Sequence, residues 1–143
     1  MVAPTVQGRV VHPGEGSGAV LRLDAPLSFW GGVDPKQGTI TDPRHPDHGR
    51  SIAGQILVLP AAIGSSSSSA IMLELIREKR APAAVVMGRA DAILALGVVV
   101  AEELGYHGIP IVEVGPESLG RLGQGQRVSV TRDGRVVLTN TAV

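Results

Sequence analysis

Five consecutive serines, Ser65 to Ser69, follow Gly64 and lie between two patterned runs. Before them, Gln55-Ile56-Leu57-Val58-Leu59-Pro60 reads as a strand. After them, Ala70-Ile71-Met72-Leu73-Glu74-Leu75-Ile76 reads as a helix. A strand, a glycine turn and a hydroxyl-rich helix start make a place for an anion, because the unpaired backbone N–H groups of a helix N-terminus point outward and favour negative charge. A hydroxyl held there can bind a carboxylate or phosphate, or trade a proton with a substrate. The same residues also have a plainer use, since serines cap helices well and a run of them makes one capped end plus a linker. Residue types alone leave both uses open.

The rest of the chain supplies no second catalytic group by spacing. Gly-x-Ser-x-Gly opening a helix is absent, as are paired carboxylates in one motif. His12, His45 and His48 precede the central segment and His107 follows its second helix, so nothing sets an imidazole against Ser65. Asp42, His45, Asp47 and His48 have a metal-binding composition. Their spacing matches no defined ligand motif, and Pro46 favours extended backbone at His45, so an ordered surface loop lying across a partner is the better reading. The chain has no cysteine, which excludes disulfides and any thiolate-held zinc or iron–sulfur cluster within it. An anion-binding hydroxyl site without a companion base reads as half of an active site, the other half belonging to another chain.

The elements that must hold this turn are those of one ordinary domain over residues 1–143, long enough to bury a core. With one Trp, one Tyr and one Phe, that core must be built from Val, Ile, Leu and Ala, which suits buried strands packed by helices. Lys plus Arg equal Asp plus Glu at 13 each and form no large cluster, which argues against nucleic acid as a partner. The mean hydropathy is +0.21, yet no run approaches the roughly 18 apolar residues of a membrane span; the longest, Ala92 to Ala101, is interrupted by Gly97. The N-terminus lacks the pattern of a signal peptide, so a soluble cytoplasmic protein without a membrane is the expectation.

In chain order, Gln7 to Val11 and Ala19 to Leu23 read as strands around a glycine-rich turn, expected to form a hairpin or β-corner. Phe29 and Trp30 beside Gly31-Gly32 are expected to anchor their loop from beneath rather than line a pocket. The segment from Lys36 to Arg50 reads as a long polar loop. A helix follows from about Ser68 to Arg80, with Met72 in its core stripe. The second half of Ala81 to Met87 reads as a buried strand, Asp91 as an N-cap for a helix over Ala92 to Leu104 bent or split at Gly97, and Ile109 to Val114 as a strand. A single helical turn over Ser118 to Gly123 and an Asp133-Gly134 hairpin between Gln126–Thr131 and Arg135–Thr139 close the chain. This order predicts an α/β fold: a central βαβαβ unit of parallel strands, closed by flanking strands into a barrel-like layer, with Gly64 and Ser65 at the carboxyl end of a strand, where such sheets place ligands.

Leu27-Ser28-Phe29-Trp30-Gly31-Gly32-Val33-Asp34-Pro35, Asp42-Pro43-Arg44-His45-Pro46, Gly49-Arg50-Ser51-Ile52-Ala53-Gly54, and Gly64 to Ser69 with Leu73-Glu74-Leu75 resemble, in this order, the small subunit or swivel domain of the aconitase X family. The likeness continues through Ala81 to Ala84 and Ala90-Asp91 to Ala101-Glu102-Glu103-Leu104-Gly105. The resemblance implies a swivelling β/β/α domain docked on a large catalytic dehydratase subunit, which carries the cysteine-bound iron–sulfur cluster; no cofactor or metal is expected on this chain itself. It implies a hydro-lyase acting on a small hydroxy acid, either cis-3-hydroxy-L-proline or mevalonate 5-phosphate. By position it makes Ser65 the proton acceptor, with Gly64, Ser66 and Ser67 contacting substrate. One departure stands out, for the family usually has a basic residue just before the motif glycine, and here that position is Ile63. With no basic neighbour to favour a phosphate, cis-3-hydroxy-L-proline is the preferred substrate type. A non-catalytic module that caps a partner or holds a small anion is the competing expectation.

Overall fold

The computed structural model describes residues 4–64 and 66–139. The elements are β1 (Thr5–Gln7), β2 (Arg9–His12), β3 (Gly16–Arg22), β4 (Leu27–Ser28), a four-residue turn α1 (Phe29–Gly32), β5 (Val33–Asp34), β6 (Thr39–Ile40), β7 (Ile56–Leu59), β8 (Ala62–Ile63), α2 (Ser67–Arg77), β9 (Ala84–Met87), α3 (Ala92–Glu103), β10 (Ile111–Glu113), α4 (Pro116–Gly120), β11 (Arg127–Val130) and β12 (Arg135–Leu138). The main sheet runs β1-β12-β11-β3-β7-β9-β10-β2. Strands β3, β7, β9 and β10 are parallel neighbours, and the remaining pairs are antiparallel. The central β7-α2-β9-α3-β10 run is the expected βαβαβ unit. Strands β1 and β2 stand at opposite ends of the sheet order, yet they are one chain segment broken only at Gly8. The ladder thus returns on itself, and the layer is barrel-like in that sense.

Strand alternation sorts the core into two halves. Leu57, Leu59, Val85, Met87 and Ile111 face the helices and pack with Met72, Leu75, Leu94 and Val98. Their neighbours Ile56, Val58, Ala84, Val86 and Val112 face the opposite way, with Val128, Val130 and Val136 from the antiparallel strands. All four residues of β7 are buried, as are all four of β9. That two-sided burial explains their unbroken apolar runs.

Two sequence expectations are corrected. The first two long strands form no hairpin: β3 pairs with β11 and β7, and β2 pairs with β10. The reason is that Val20 and Leu21 are buried on opposite faces, so β3 is an interior strand that needs two partners. The segment from Lys36 to Arg50 is the ordered loop expected, with one short strand in it: β6 pairs with β5, and Ile40, almost fully buried, fixes the loop to the core through backbone bonds to Gly49 and Arg50. Helix α3 runs without a break through Gly97. The glycine is there for close approach, since a Cβ would meet the Ser69 carbonyl oxygen and lie 3.0 Å from the Met72 Cβ. Asp91 caps α3 as expected, accepting the N–H groups of Ile93 and Leu94.

Glu113, ending β10, ties that strand to β2 and to the turn between β9 and α3. It accepts from Arg9 Nε at 2.9 Å and from the Ala90 N–H at 2.7 Å. The Arg9 hydrogen bond, then the Ala90 one, hold its carboxyl below the usual range. A carboxyl depressed by folding contributes stability above its unfolded pKa and loses it as pH falls through the folded value. Glu113→Gln should therefore lower Tm at neutral pH, and the gap to the parent chain should close as pH drops below about 4; a gap independent of pH in thermal melts refutes this. Gly97→Ala must push α3 from α2 and is expected to cost about 1–3 kcal/mol in denaturant unfolding, whereas a neutral result would show that the two helices are not in tight contact.

Candidate functional site

Strand β7 ends at Leu59, and Pro60-Ala61 lead into β8, which lies parallel to β4 with Ile63 opposite Ser28. The Leu27 N–H also bonds the Ala61 carbonyl at 3.2 Å. This short ribbon sets the direction in which the chain reaches Gly64. Gly64 has φ +128°, which favours glycine, and a Cβ there would lie 3.2 Å from Ser28 Oγ and 3.3 Å from Ser68 Oγ. Two hydroxyls from separate elements thus converge on the glycine. Ser28 Oγ donates to the Trp30 carbonyl at 2.9 Å, and Ser68 is buried in the first turn of α2.

Helix α2 starts with Ser66 at the N-cap position and no acidic residue in its first turn, so nothing there neutralises the positive end of the helix dipole. The carboxylates held below their usual range lie elsewhere. Glu74 is lowered by the Arg77 hydrogen bond near the far end of α2, and Asp133 by the Thr131 hydroxyl in the terminal hairpin. The turn is therefore hydroxyl-rich and positive by its backbone rather than by its side chains.

Of the residues expected from sequence, Gly64, Ser66 and Ser67 stand together at this turn, while Ser65 lies outside the described residues. Ser66 is exposed and makes no side-chain cap hydrogen bond to α2. Its carbonyl instead accepts the Ser69 hydroxyl at 2.8 Å and the Ser69 N–H at 3.3 Å. Ser28 and Ser68 are additions by the fold. Nothing in the local pattern of Leu27-Ser28-Phe29 marks Ser28 as a neighbour of Gly64, because the β4–β8 pairing is long-range. The aromatics divide: Phe29 is fully buried as the expected anchor, whereas Trp30 is 59% exposed, so the anchor reading holds for only one of them. Ile63, at 54%, is also exposed beside the turn.

The Asp42 to His48 segment is knit to itself. His45 is buried and its Nδ1 accepts the Asp47 N–H at 3.0 Å; Asp47 pairs with Arg50 at 3.1 Å, and Asp42 accepts the Arg44 N–H. Among the described residues no group of three His, Asp or Glu is placed to hold a metal, and no helix is long and apolar enough to cross a membrane.

Residues 5–139 match the family model of the aconitase X swivel domain. The chain belongs to that family. As a swivel domain it is similar to the phosphomevalonate dehydratase small subunit of Methanothermobacter thermautotrophicus, 40% identical over 129 residues that span 90% of this chain and 94% of the relative. It is also 45% identical over 107 residues to the cis-3-hydroxy-L-proline dehydratase of Pseudomonas aeruginosa, where the match covers 75% of this chain but only 18% of the longer relative. In three dimensions it superposes on the Thermococcus kodakaraensis aconitase X crystal structure (holo-form) with TM-score 0.85 and 36% identity, covering 96% of this chain and 99% of that one. A UPF0107 protein solved in solution by NMR gives TM-score 0.83 at 32% identity, covering 96% of this chain and all of that one.

For this swivel domain the geometry at Gly64 is testable without an activity. Gly64→Ala combines an unfavourable φ with a Cβ set against two hydroxyls, and is expected to cost about 1–3 kcal/mol while shifting the amide resonances of Ser28 and Ser68. Unchanged resonances at both serines would remove the convergence described above.

Proposed function

We propose that this swivel domain is the small subunit of a hydro-lyase, with residues 1–143 forming one domain that completes the active site of a separate large dehydratase subunit in the cytoplasm. The single observation carrying the reading is the hydroxyl-rich turn at the carboxyl end of β7, open to one side and bordered by exposed Trp30 and Ile63. Apolar residues beside a polar turn favour a covering partner over water. Helix α3 adds Ile93, Leu96 and Val100 along one exposed stripe, continued by Leu104 at its C-cap, with no charge from Ala92 to Ala101. The relatives named as dehydratases, one of them a small subunit, support the class.

The residues of this chain do not fit an iron–sulfur cluster, since it has no cysteine and no described cluster of other ligands. The cluster that the family implies is assigned to the large subunit, and the role of this chain is confined to its own groups. Ser65 is the proposed proton acceptor from a substrate carbon. A serine hydroxyl is a weak base, so its activation rests on the positive start of α2 and on exclusion of water by the partner. Gly64 lets the backbone approach the substrate without a side chain in the way, and Ser66 and Ser67 supply hydroxyls to it.

The proposed substrate is a small hydroxy acid of the cis-3-hydroxy-L-proline type. Ile63 leaves the turn without the basic side chain that a phosphate favours. Arg89 is exposed at the carboxyl end of β9, with its N–H on the Pro60 carbonyl at 3.0 Å, and is the proposed source of a carboxylate contact. Mevalonate 5-phosphate is the second reading, favoured by the 94% coverage of the Methanothermobacter relative. The competing class is an anion-holding module without catalysis.

Reconstitution with a cysteine-bearing large dehydratase subunit decides between these. The isolated chain should be inactive, the complex should dehydrate cis-3-hydroxy-L-proline, and Ser65→Ala should lose at least about a hundredfold in kcat with the complex intact by gel filtration. Full activity of Ser65→Ala removes the assigned role; turnover of mevalonate 5-phosphate alone corrects the substrate; and phosphate binding without turnover of either favours the non-catalytic module.

A further inference from the structure

A cavity of about 440 Å³ lies at the other end of the parallel strands, between the C-termini of the two long helices. Its floor is apolar, made by Ile76, Pro82, Ala83 and Ile109; its mouth carries Lys79, Glu15, His107 and Tyr106. Its walls are set by backbone contacts. The place of a Cβ at Gly16 is taken by the Ala83 carbonyl, and Gly108 lies under the Glu102 carboxylate, which in turn holds His12 Nε2 at 2.9 Å.

The two helices end alike. In α2 the Lys79 and Arg80 N–H groups bond the carbonyls of Ile76 and Leu75; in α3 the Gly105 and Tyr106 N–H groups bond those of Glu102 and Ala101. This ending needs one left-handed residue, for which glycine is the low-strain choice. Gly105 has φ +91° at that place in α3, but in α2 the residue is Lys79, with φ +59°, the only positive φ at a non-glycine position among the described residues. A strained residue kept where glycine is easier points to a use for its side chain. Lys79 and Glu15 both line the cavity, and neither enters any ion pair among the described residues.

We infer that this cavity binds a small zwitterion with an apolar body, an apolar α-amino acid, whose carboxylate pairs with Lys79 and whose ammonium pairs with Glu15 while its side chain fills the apolar floor. A pocket with an apolar lining and a few convergent polar groups is the general form of a small-molecule site, and 440 Å³ is ample for an amino acid. Opposite charges at one mouth select a ligand carrying both, because a molecule with either charge alone leaves one of the two groups unpaired.

The test is a titration of the full ¹⁵N-labelled chain with L-phenylalanine, 3-phenylpropionate (no amine) and phenethylamine (no carboxylate), followed by amide shifts. L-phenylalanine at millimolar concentration should move resonances at Gly16, Lys79–Ala83 and Tyr106–Ile109, and should bind more tightly than either single-charge analogue. Lys79→Gly should weaken it by about tenfold or more, a loss of one charge-assisted pair, while raising Tm, because glycine relieves the backbone. Lys79→Arg should keep binding, and Glu15→Gln should weaken it. Shifts that are absent, scattered over the surface, or unchanged by Lys79→Gly and Glu15→Gln overturn the inference.

Discussion

The position of the serine turn depends on one constraint: β7 must be buried on both faces at once. Its four residues alternate between the layer under the helices and the layer enclosed by the antiparallel strands, and none is exposed. A strand so held cannot rotate or slip by a residue without turning its side chains to the wrong layer. Its carboxyl end is therefore a fixed point, and the chain leaves it toward Gly64 along the β8–β4 ribbon. Helix α2 is fixed from the other side, where Gly97 of α3 lies against the Ser69 carbonyl. Rigid support on both sides is what a functional loop needs, since small displacements of a positioned group are costly to its chemistry.

The same economy of aromatics that forces an aliphatic core makes the exposed ones informative. Of Phe29 and Trp30, adjacent in sequence, one is fully buried and the other is more than half exposed. Ser28 Oγ bonds the Trp30 carbonyl and thereby fixes this split at the backbone. Trp30 and Ile63 flank a turn whose own character is polar. The proposed covering by a large subunit would bury this apolar border, and a domain of zero net charge has no long-range repulsion to keep a partner away.

Periodicity and turn residues made the central βαβαβ unit, the Asp91 cap, the Gly105 stop and the Asp133-Gly134 hairpin legible, because each is decided by residues close in sequence. What escaped was decided by residues far apart. The return of β1 and β2 to opposite ends of the sheet, the pairing of Ser28 with Ile63 and the burial of His45 have no local signature. Gly97 shows the limit well: within its helix a glycine signals a weak point, whereas across the interface the same missing side chain is what lets α2 and α3 touch. At the site, the glycine and the serines were readable as a turn at a strand's end. The convergence of Ser28 and Ser68 on Gly64 was not, and Ser65 owes its assigned role to the family pattern, not to spacing.

Position 63 joins the two kinds of reading. As sequence, an isoleucine before Gly64 is a missing charge. In the fold it is an exposed side chain at the end of a ribbon whose partner residue, Ser28, donates to the Trp30 carbonyl and sets its hydroxyl against Gly64. An apolar residue held in water gains by being covered, and a basic one there loses hydration when covered without a counter-charge. Under the proposed function, isoleucine at this edge therefore suits contact with a covering surface better than contact with a ligand. In the proposed function an anion is held by the backbone N–H groups at the start of α2, the serine hydroxyls and Arg89 at the end of β9.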